Sequence, residues 1–370
     1  MSELDLPAVD VAGRMPRLRA RFADAAVDAL LVTRLPNIRY LTGFTGSAAF
    51  LLVRGDDAVF VSDGRYAEQA SEQLRAAGVE AEVVIRPSHA GQREALAEGA
   101  TAIGRLGLEA HDVTWAQQRA FANAWFPRAE LVATEQLVEA LRRVKDEGEV
   151  ARIRAACAIA DEALAVVTPT FADGPTERDV ALALEFEMRR RGASGVSFDP
   201  IVASGPNAAK PHARPSDRRL RHEELVVVDF GCVVDGYCSD MTRTVSVGDP
   251  GPDARRVYDV VLASQQAGRA AVRAGADCAG VDRVCRSVIE DAGWGDAFVH
   301  GTGHGVGLEI HEAPRVAATA RDTLGAGDVV TVEPGVYLRG VGGVRIEDTV
   351  VVTDEGADAL TASPKELVLP

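Results

Sequence analysis

The chain has 370 residues, and its 40 Lys+Arg against 55 Asp+Glu leave a formal net charge of −15 at pH 7. With 47% hydrophobic and 26% charged residues, it has the composition of a globular protein with a sizeable core rather than of a disordered one. The acidic balance argues against nucleic acid and against an anionic membrane as partners, because binding to phosphates requires a basic surface.

The first part of the chain alternates short apolar runs with segments of helical periodicity. Helices are predicted over residues 66–77 and 115–124, and strands over residues 29–33, 48–53, 58–62, 83–85 and 102–108. Such alternation is typical of an α/β layer. A charged stretch at 142–149 then opens a helix to about residue 167. We therefore expect an N-terminal α/β domain over 1–140 and a second domain over 145–370.

Cysteine usage and the N-terminal residues bear on the compartment. The five cysteines are scattered and form no Cys-x-x-Cys pair, which indicates neither a disulfide framework nor a zinc ribbon. Residues 1–7 are acidic and show no basic region followed by an apolar stretch, so no signal peptide is expected. The apolar runs fall short of the ~20 residues that span a membrane. A reduced, cytoplasmic protein without a membrane partner is the expectation.

The second part of the chain repeats one order of elements. Helices predicted over 149–167 and 176–192 precede a hairpin pattern at 224–230 and 239–247. Helices over 253–274 and 280–292 precede another hairpin pattern at 328–337 and 343–352. This order predicts a pseudo-twofold architecture, although the two halves share no obvious sequence identity.

Each hairpin pattern carries two acids within apolar strand sequence. These are Asp229 and Asp240 in the first hairpin, and Glu333 and Glu347 in the second. Burying an unpaired carboxylate is costly, so such acids pair with a cation, bind a metal or lie where a strand reaches the surface. For any one acid, a salt bridge to Arg243 or Arg345 is an equal alternative. Four acids at equivalent places favour a shared metal site.

Three of the seven histidines, His300, His304 and His311, fall within twelve residues of a glycine-rich segment. The spacing matches neither a G-x-G-x-x-G phosphate loop nor His-Glu-x-x-His on a helix. Four carboxylates with an imidazole form a hard, oxygen-rich set that suits a pair of divalent cations ~3.5–4 Å apart. Such a pair hydrolyses amides or phosphoesters. The sequence contains neither Gly-x-Ser-x-Gly nor a nucleotide-binding P-loop motif, which leaves serine-hydrolase and nucleotide-hydrolase functions without support.

Taken together, these motifs resemble the proline-directed "pita-bread" metallopeptidases, namely aminopeptidase P and prolidase. The resemblance covers residues 150–370 and includes Ser204–Asn207, Pro211-His212, His300–Glu312, the Glu333-Pro-Gly turn and Arg345–Asp348. Residues 36–47 and 63–66 resemble the smaller N-terminal domain of that family. The implied fold is α/β (α+β): a curved, mostly antiparallel sheet backed by helices, preceded by a creatinase-like α/β domain.

The resemblance implies a role for each site residue. Asp229, Asp240, His304, Glu333 and Glu347 match the five metal ligands, with Asp240 and Glu347 bridging two ions. Glu333 would also accept a proton from the attacking water. His212 and His311 match the histidines that hold the substrate and stabilise the oxyanion, and His300 would line the proline pocket. Supporting positions beside the ligands are expected for Arg345, Tyr237 and Thr242.

The implied activity is hydrolysis of the bond between an N-terminal residue and proline in small peptides. The family uses manganese, cobalt or zinc, and the ligand set suits Mn²⁺ by hardness. We favour an Xaa-Pro dipeptidase, with an Xaa-Pro aminopeptidase acting on longer peptides as the alternative. A methionine aminopeptidase and a non-enzymatic binding module on the same fold remain further alternatives. The family's homodimers, in which the N-terminal domain reaches toward the partner's site, imply a homodimer here.

Overall fold

The computed structural model describes residues 6–369, which contacts divide into two compact units. One unit is Val9–Arg142, and the other joins residues 6–8 to the chain from Arg143 onward. Residues 6–8 thus lie with the C-terminal unit, although the sequence prediction placed them in the N-terminal domain. The guanidinium of Arg152 holds this segment by donating to the carbonyl of Pro7 at 2.8 Å. The expectation that there is no signal peptide rests on residues 1–7, and residues 1–5 lie outside the part of the chain that the structure describes.

The N-terminal unit is built on a six-stranded mixed sheet. Its strands are β1 (Ala29–Val32), β2 (Ala49–Arg54), β3 (Ala58–Ser62), β4 (Glu82–Ile85), β5 (Arg105–Glu109) and β6 (Glu130–Thr134), in the spatial order β4-β3-β2-β1-β5-β6. Its helices are α1 (Arg14–Arg19), α2 (Leu35–Thr42), α3 (Ala67–Ala76), α4 (His89–Gly99), α5 (Trp115–Ala120) and α6 (Glu139–Arg142). The five predicted strands and both predicted helices are present, although the second helix changes to a π-helical turn over Phe121–Trp125. Helices α1, α2, α4 and α6 and strand β6 were not predicted.

Two helix pairs precede the hairpins of the C-terminal unit. The helices are α7 (Glu147–Val167), α8 (Glu177–Arg190), α9 (Pro252–Ala271) and α10 (Cys278–Asp291). Asp146 and Thr176 begin α7 and α8 with capping boxes, in which an N-cap side chain and the residue three positions later satisfy each other's backbone amides. By length and composition alone, Glu147–Asp173 could cross a membrane. Its buried face packs into the core through Ala156, Ala160 and Leu164, as in a helix of a globular core.

The strands of the C-terminal unit form several small sheets. They are β7 (Gly195–Val196), β8 (Ile201–Ser204), β9 (Val226–Phe230), β10 (Cys232–Val234), β11 (Tyr237–Cys238), β12 (Met241–Val247), β13 (Gly303–Gly305), β14 (Glu312–Val316), β15 (Val329–Val332), β16 (Gly335–Leu338), β17 (Gly342–Arg345), β18 (Asp348–Val352), β19 (Ala357–Ala359) and β20 (Val368–Leu369). The orders are β11-β10-β7, β20-β12-β9-β8, β14-β13-β15-β18-β19 and β16-β17.

Each predicted hairpin is interrupted, and this corrects the continuous strands expected from the sequence. In the first hairpin β9 pairs with β12 and β10 with β11; in the second β15 pairs with β18 and β16 with β17. Gly231 sits at the first break, where a Cβ would lie 1.9 Å from the carbonyl oxygen of Ser239. Pro334 sits at the second break and lacks the amide that a ladder needs. Each half therefore has an outer strand pair on the far side of the break, β9–β12 or β15–β18, and an inner pair at the tip of the hairpin, β10–β11 or β16–β17.

Candidate active site

The strand breaks bring the four acids to one place. Asp229 is the penultimate residue of β9, and Asp240 directly precedes β12. Glu333 directly follows β15, and Glu347 directly precedes β18. All four acids line a cavity of about 1060 Å³ in the C-terminal unit. The pseudo-symmetric hairpins thus place two pairs of carboxylates, far apart in sequence, on one wall.

His304 completes this cluster from β13. The strand lies so close to its neighbours that a Cβ on Gly303 would be 2.0 Å from the Thr331 carbonyl oxygen, and one on Gly305 would be 2.3 Å from that of Ala313. The Nε2 atom of His304 lies 3.5 Å from Asp240 Oδ2 and 3.4 Å from Glu333 Oε1. Glycine on both sides of the histidine is therefore what lets the ring reach the acids.

The tautomer of His304 suits metal binding. Its Nδ1 lies 3.1 Å from the carbonyl oxygen of Gly305, which can only accept, so Nδ1 carries the proton. Burial lowers the pKa of His304 to about 4, so the ring is neutral at pH 7. The lone pair of Nε2 then faces Asp240 and Glu333, which is the arrangement of a metal-ligating imidazole.

The electrostatics of the cluster call for a cation. Burial, then the charges of neighbouring acids, raises the pKa of Asp240 and of Glu347 well above the usual range. Burial is also the main reason that the pKa of Glu333 rises to about 8. Asp229 Oδ1 and Glu347 Oε1 are buried and receive no hydrogen bond from the described residues. Unsatisfied oxygens beside a neutral imidazole fit divalent metal ions well.

Arg345 joins the cluster to the surrounding residues. Its guanidinium is buried and donates to Asp229 Oδ2 at 2.5 Å, to the Tyr337 hydroxyl at 2.6 Å and to the Pro211 carbonyl at 3.2 Å. Thr242 accepts from Arg345 Nε at 3.2 Å and donates to Glu347 at 2.8 Å. The salt bridge considered from the sequence therefore exists for Asp229, but it occupies only one carboxylate oxygen. Arg243 pairs instead with Asp348, at 3.0 Å.

Sequence reasoning missed Tyr337, which links Arg345 to His300. The His300 Nδ1 atom lies 2.8 Å from the Gly301 carbonyl oxygen and so carries the proton. Burial lowers the pKa of His300 to about 4, and its Nε2 then accepts from the Tyr337 hydroxyl at 2.9 Å. A tyrosine four residues after Glu333 has no signal of its own in the sequence. Only the pairing of β16 with β17 brings it beside Arg345.

His311 and His212 line the same cavity as His300 and His304. The ring of His311 lies 4.3 Å from that of His304, at an angle of 69°, and burial lowers the pKa of His311. His212 lines the cavity from the segment between β8 and β9, and its side chain is exposed. Both imidazoles can therefore reach a molecule bound in front of the acids.

Tyr237, for which a supporting position beside the ligands was expected, contacts helix α7. Its hydroxyl is 2.9 Å from Glu149 Oε1 in α7, and Tyr237 is not part of the cavity wall. The reason is the inner strand pair: β11 projects this ring toward α7 rather than into the cavity. Thr242, on the outer strand β12, has the supporting contact that was expected for both residues.

Two family models and several relatives match the chain. Residues 151–354 match metallopeptidase family M24, and residues 14–144 match the creatinase/prolidase N-terminal domain. An uncharacterized peptidase of Bacillus subtilis is 40% identical over 96% of this chain and 99% of its own. The structure of an Xaa-Pro dipeptidase from Bacillus anthracis is also 40% identical, over 96% of this chain and 99% of its own, with a TM-score of 0.92.

A third relative has a different activity, that of an aminopeptidase. The X-Pro aminopeptidase from Thermotoga maritima is 34% identical, over 93% of this chain and 98% of its own, with a TM-score of 0.85. These matches confirm the two-domain fold expected from the sequence. The M24 model covers more than half of the chain, and the family's divalent metal ions agree with the unsatisfied carboxylates of the cavity. The protein belongs to metallopeptidase family M24 and is a metal-dependent peptide hydrolase.

Proposed function

We propose that the protein is an Xaa-Pro dipeptidase that holds two divalent metal ions and cleaves the bond between an N-terminal residue and proline. The observation that carries this proposal is the single cavity shared by the four carboxylates, His304, His212 and His311. The similarity to an Xaa-Pro dipeptidase over nearly the whole chain supports the substrate class.

The residues that would hold the proposed metal pair are Asp229, Asp240, His304, Glu333 and Glu347. The buried oxygens Asp229 Oδ1 and Glu347 Oε1, which receive no hydrogen bond from the described residues, support this assignment. When bound, the ions supply Lewis acidity toward the scissile carbonyl and lower the pKa of a water molecule. Mn²⁺ is the proposed ion on the hardness of the ligands, with Co²⁺ or Zn²⁺ as alternatives.

The protein's own side chains orient the peptide and move the protons. Glu333, in its ionised form, accepts a proton from the attacking water. His212 and His311 donate hydrogen bonds to the substrate carbonyl and to the oxyanion that develops from it. His300 packs edge-on against Phe298, 5.1 Å between ring centroids, and lines the pocket for the proline ring.

An Xaa-Pro aminopeptidase is the second candidate, because the Thermotoga maritima relative has that description. The two activities differ in what lies behind the proline, which is a free carboxylate in a dipeptide and further chain in a longer peptide. Hydrolysis of Ala-Pro, Ala-Pro-Ala and Ala-Ala-Ala by the Mn²⁺-loaded protein separates them. We expect cleavage of Ala-Pro alone, abolished by chelation. Cleavage of Ala-Pro-Ala would favour the aminopeptidase, and metal-loaded protein inactive on both proline peptides would overturn the proposal.

The Tyr337→Phe variant tests the link between His300 and Arg345. Loss of the hydroxyl leaves His300 Nε2 without its donor and removes one acceptor of Arg345, which contacts the proposed ligand Asp229. We therefore expect kcat/KM on Ala-Pro to fall about tenfold, the lower end for groups that orient metal ligands. Bound metal per chain should stay unchanged, because Arg345 still contacts Asp229. Steady-state kinetics and elemental analysis measure the two quantities. An unchanged kcat/KM would show that the link is without consequence for catalysis.

We also propose a cytoplasmic homodimer. All five cysteines are buried free thiols, which supports a reducing compartment. The homodimer rests on the resemblance to the family, and sedimentation measurements of the purified protein test it.

A further inference from the structure

Glu177 is a fully buried carboxylate that contacts both ends of the segment carrying His212. It is the first residue of α8, and its exposed fraction is 0%. Its Oε1 accepts from the amide and the hydroxyl of Ser204, at 2.7 and 2.9 Å. Its Oε2 accepts from the amide and the hydroxyl of Ser216, at 3.0 and 2.6 Å. The two ends of residues 205–215, here called the His212 loop, are thus held by one side chain.

The interior of the His212 loop contacts the same carboxylate. Asn207 Nδ2 lies 3.1 Å from each oxygen of Glu177, and Asn207 Oδ1 accepts from Lys210 Nζ at 2.9 Å. From Asn207 onward the loop winds in tight turns, with the Lys210 amide on the Asn207 carbonyl and the Ala213 amide on the Lys210 carbonyl. A shift of Asn207 would therefore move the backbone of His212, which lies between these turns.

The charge of Glu177 suits this set of donors. Burial acts to raise its pKa, but hydrogen bonds from Ser216, Ser204 and Asn207 outweigh burial and leave the pKa below its usual value. The side chain is therefore ionised at pH 7, and a buried carboxylate persists only when its oxygens are satisfied. A glutamine at position 177 would place its side-chain NH₂, which is a donor, against N–H and O–H groups that are themselves donors.

His212 depends on its backbone for position. Its side chain is exposed, and no hydrogen bond from the described residues holds the ring. The neighbouring carbonyl of Pro211 accepts from Arg345, which fixes the loop on the side of the acids. Glu177 fixes the two ends of the loop, from a helix whose next turn, through Ala181 and Leu182, also lines the cavity.

We propose that Glu177 is a positioning residue for the peptidase reaction: by closing the His212 loop, it sets the place of the His212 imidazole opposite the substrate carbonyl. This inference rests on the proposed function, in which His212 donates a hydrogen bond to that carbonyl. Glu177 itself does not line the cavity and acts through His212.

The test is a double-mutant cycle in the metal-loaded protein with Ala-Pro as substrate. Glu177→Gln should lower kcat by about 100-fold with a much smaller change in KM, as expected for a reacting group misplaced by about 1 Å. In a His212→Ala background, Glu177→Gln should lower kcat by less than about threefold, because its effect passes through the missing imidazole. A full additional 100-fold loss in that background would overturn the inference.

Two further variants distinguish a loss of positioning from a loss of folding. Ser216→Ala removes one donor to Glu177 and should lower kcat about tenfold, an effect that also vanishes in the His212→Ala background. Glu187→Gln breaks the pairs with Arg190 and Arg191 at the other end of α8 and leaves the contacts of Glu177, so it should keep kcat within about twofold. If His212→Ala alone keeps full kcat on Ala-Pro, the peptidase function stands, but this inference fails. If the wild type leaves Ala-Pro uncleaved, the proposed function fails first.

Discussion

Replacing Asp240 by asparagine is expected to remove bound divalent metal and to lower kcat/KM on Ala-Pro by more than about 100-fold. Loss of a group that only orients a ligand costs roughly 10- to 100-fold, so loss of Asp240, which we propose as a ligand, should cost more. Asparagine keeps the shape of the side chain and removes its charge. Elemental analysis after dialysis gives the metal content, and initial rates at several substrate concentrations give kcat/KM.

In the metal-free protein the same substitution is expected to raise stability. Burial and neighbouring acids raise the pKa of Asp240, and the pKa of Glu333 rises from 4.5 to about 8. These carboxyls hold their protons more tightly in the folded chain than in the unfolded one. The metal-free protein should therefore lose stability as the pH rises from about 4.5 to about 8, and Asp240→Asn removes one contributor. Urea unfolding at pH 5 and pH 8 should show a stabilisation that is larger at pH 8.

The exposed Asp199, which lines the same cavity outside the cluster, provides the matched control. Asp199→Asn should leave both the metal content and the pH dependence of metal-free stability as in the wild type. An Asp240→Asn protein that still binds its full complement of metal would contradict the ligand assignment. A metal-free variant less stable than wild type at pH 8 would contradict the electrostatic argument.

Arg345→Leu is expected to have the opposite effect on the metal-free protein. The guanidinium is buried and contacts Asp229, Tyr337 and the Pro211 carbonyl, so its removal takes positive charge away from a cluster of acids. Removing one partner of a buried ion pair costs about 3–5 kcal/mol. Metal-loaded protein should lose less, because the cations offset part of the missing charge.

Arg345→Lys separates charge from geometry. The lysine ammonium keeps the positive charge but cannot contact several acceptors in one plane. The stability of the Arg345→Lys protein should therefore fall between those of the wild type and of Arg345→Leu. Urea unfolding with and without Mn²⁺ and kcat/KM on Ala-Pro measure the effects. If Arg345→Leu unfolds at the wild-type urea concentration without metal, the guanidinium does not stabilise the acids.

Much of this protein could be predicted from its sequence, because the relevant signals are local. The alternating runs of the N-terminal unit indicated α/β structure, and the repeated helix–helix–hairpin order indicated pseudo-symmetry. The glycine-rich run around His304 and the acids in apolar strands indicated a metal site. Each motif depends on neighbours within about a dozen residues, and together the motifs resembled the proline-directed pita-bread metallopeptidases.

Tertiary structure alone decided the contacts between distant segments. Arg345 and Asp229 are 116 positions apart, and the partners of Glu177 lie up to 39 positions away. No periodicity relates such residues, since only the pairing of strands brings them together. The same holds for the interrupted hairpins, whose breaks lie at Gly231, where the backbone is crowded, and at Pro334, which lacks an amide. Tyr237 and Tyr337 show the consequence. The sequence predicted a supporting position beside the ligands for Tyr237, which contacts α7, and only a place in a hairpin for Tyr337, which contacts Arg345.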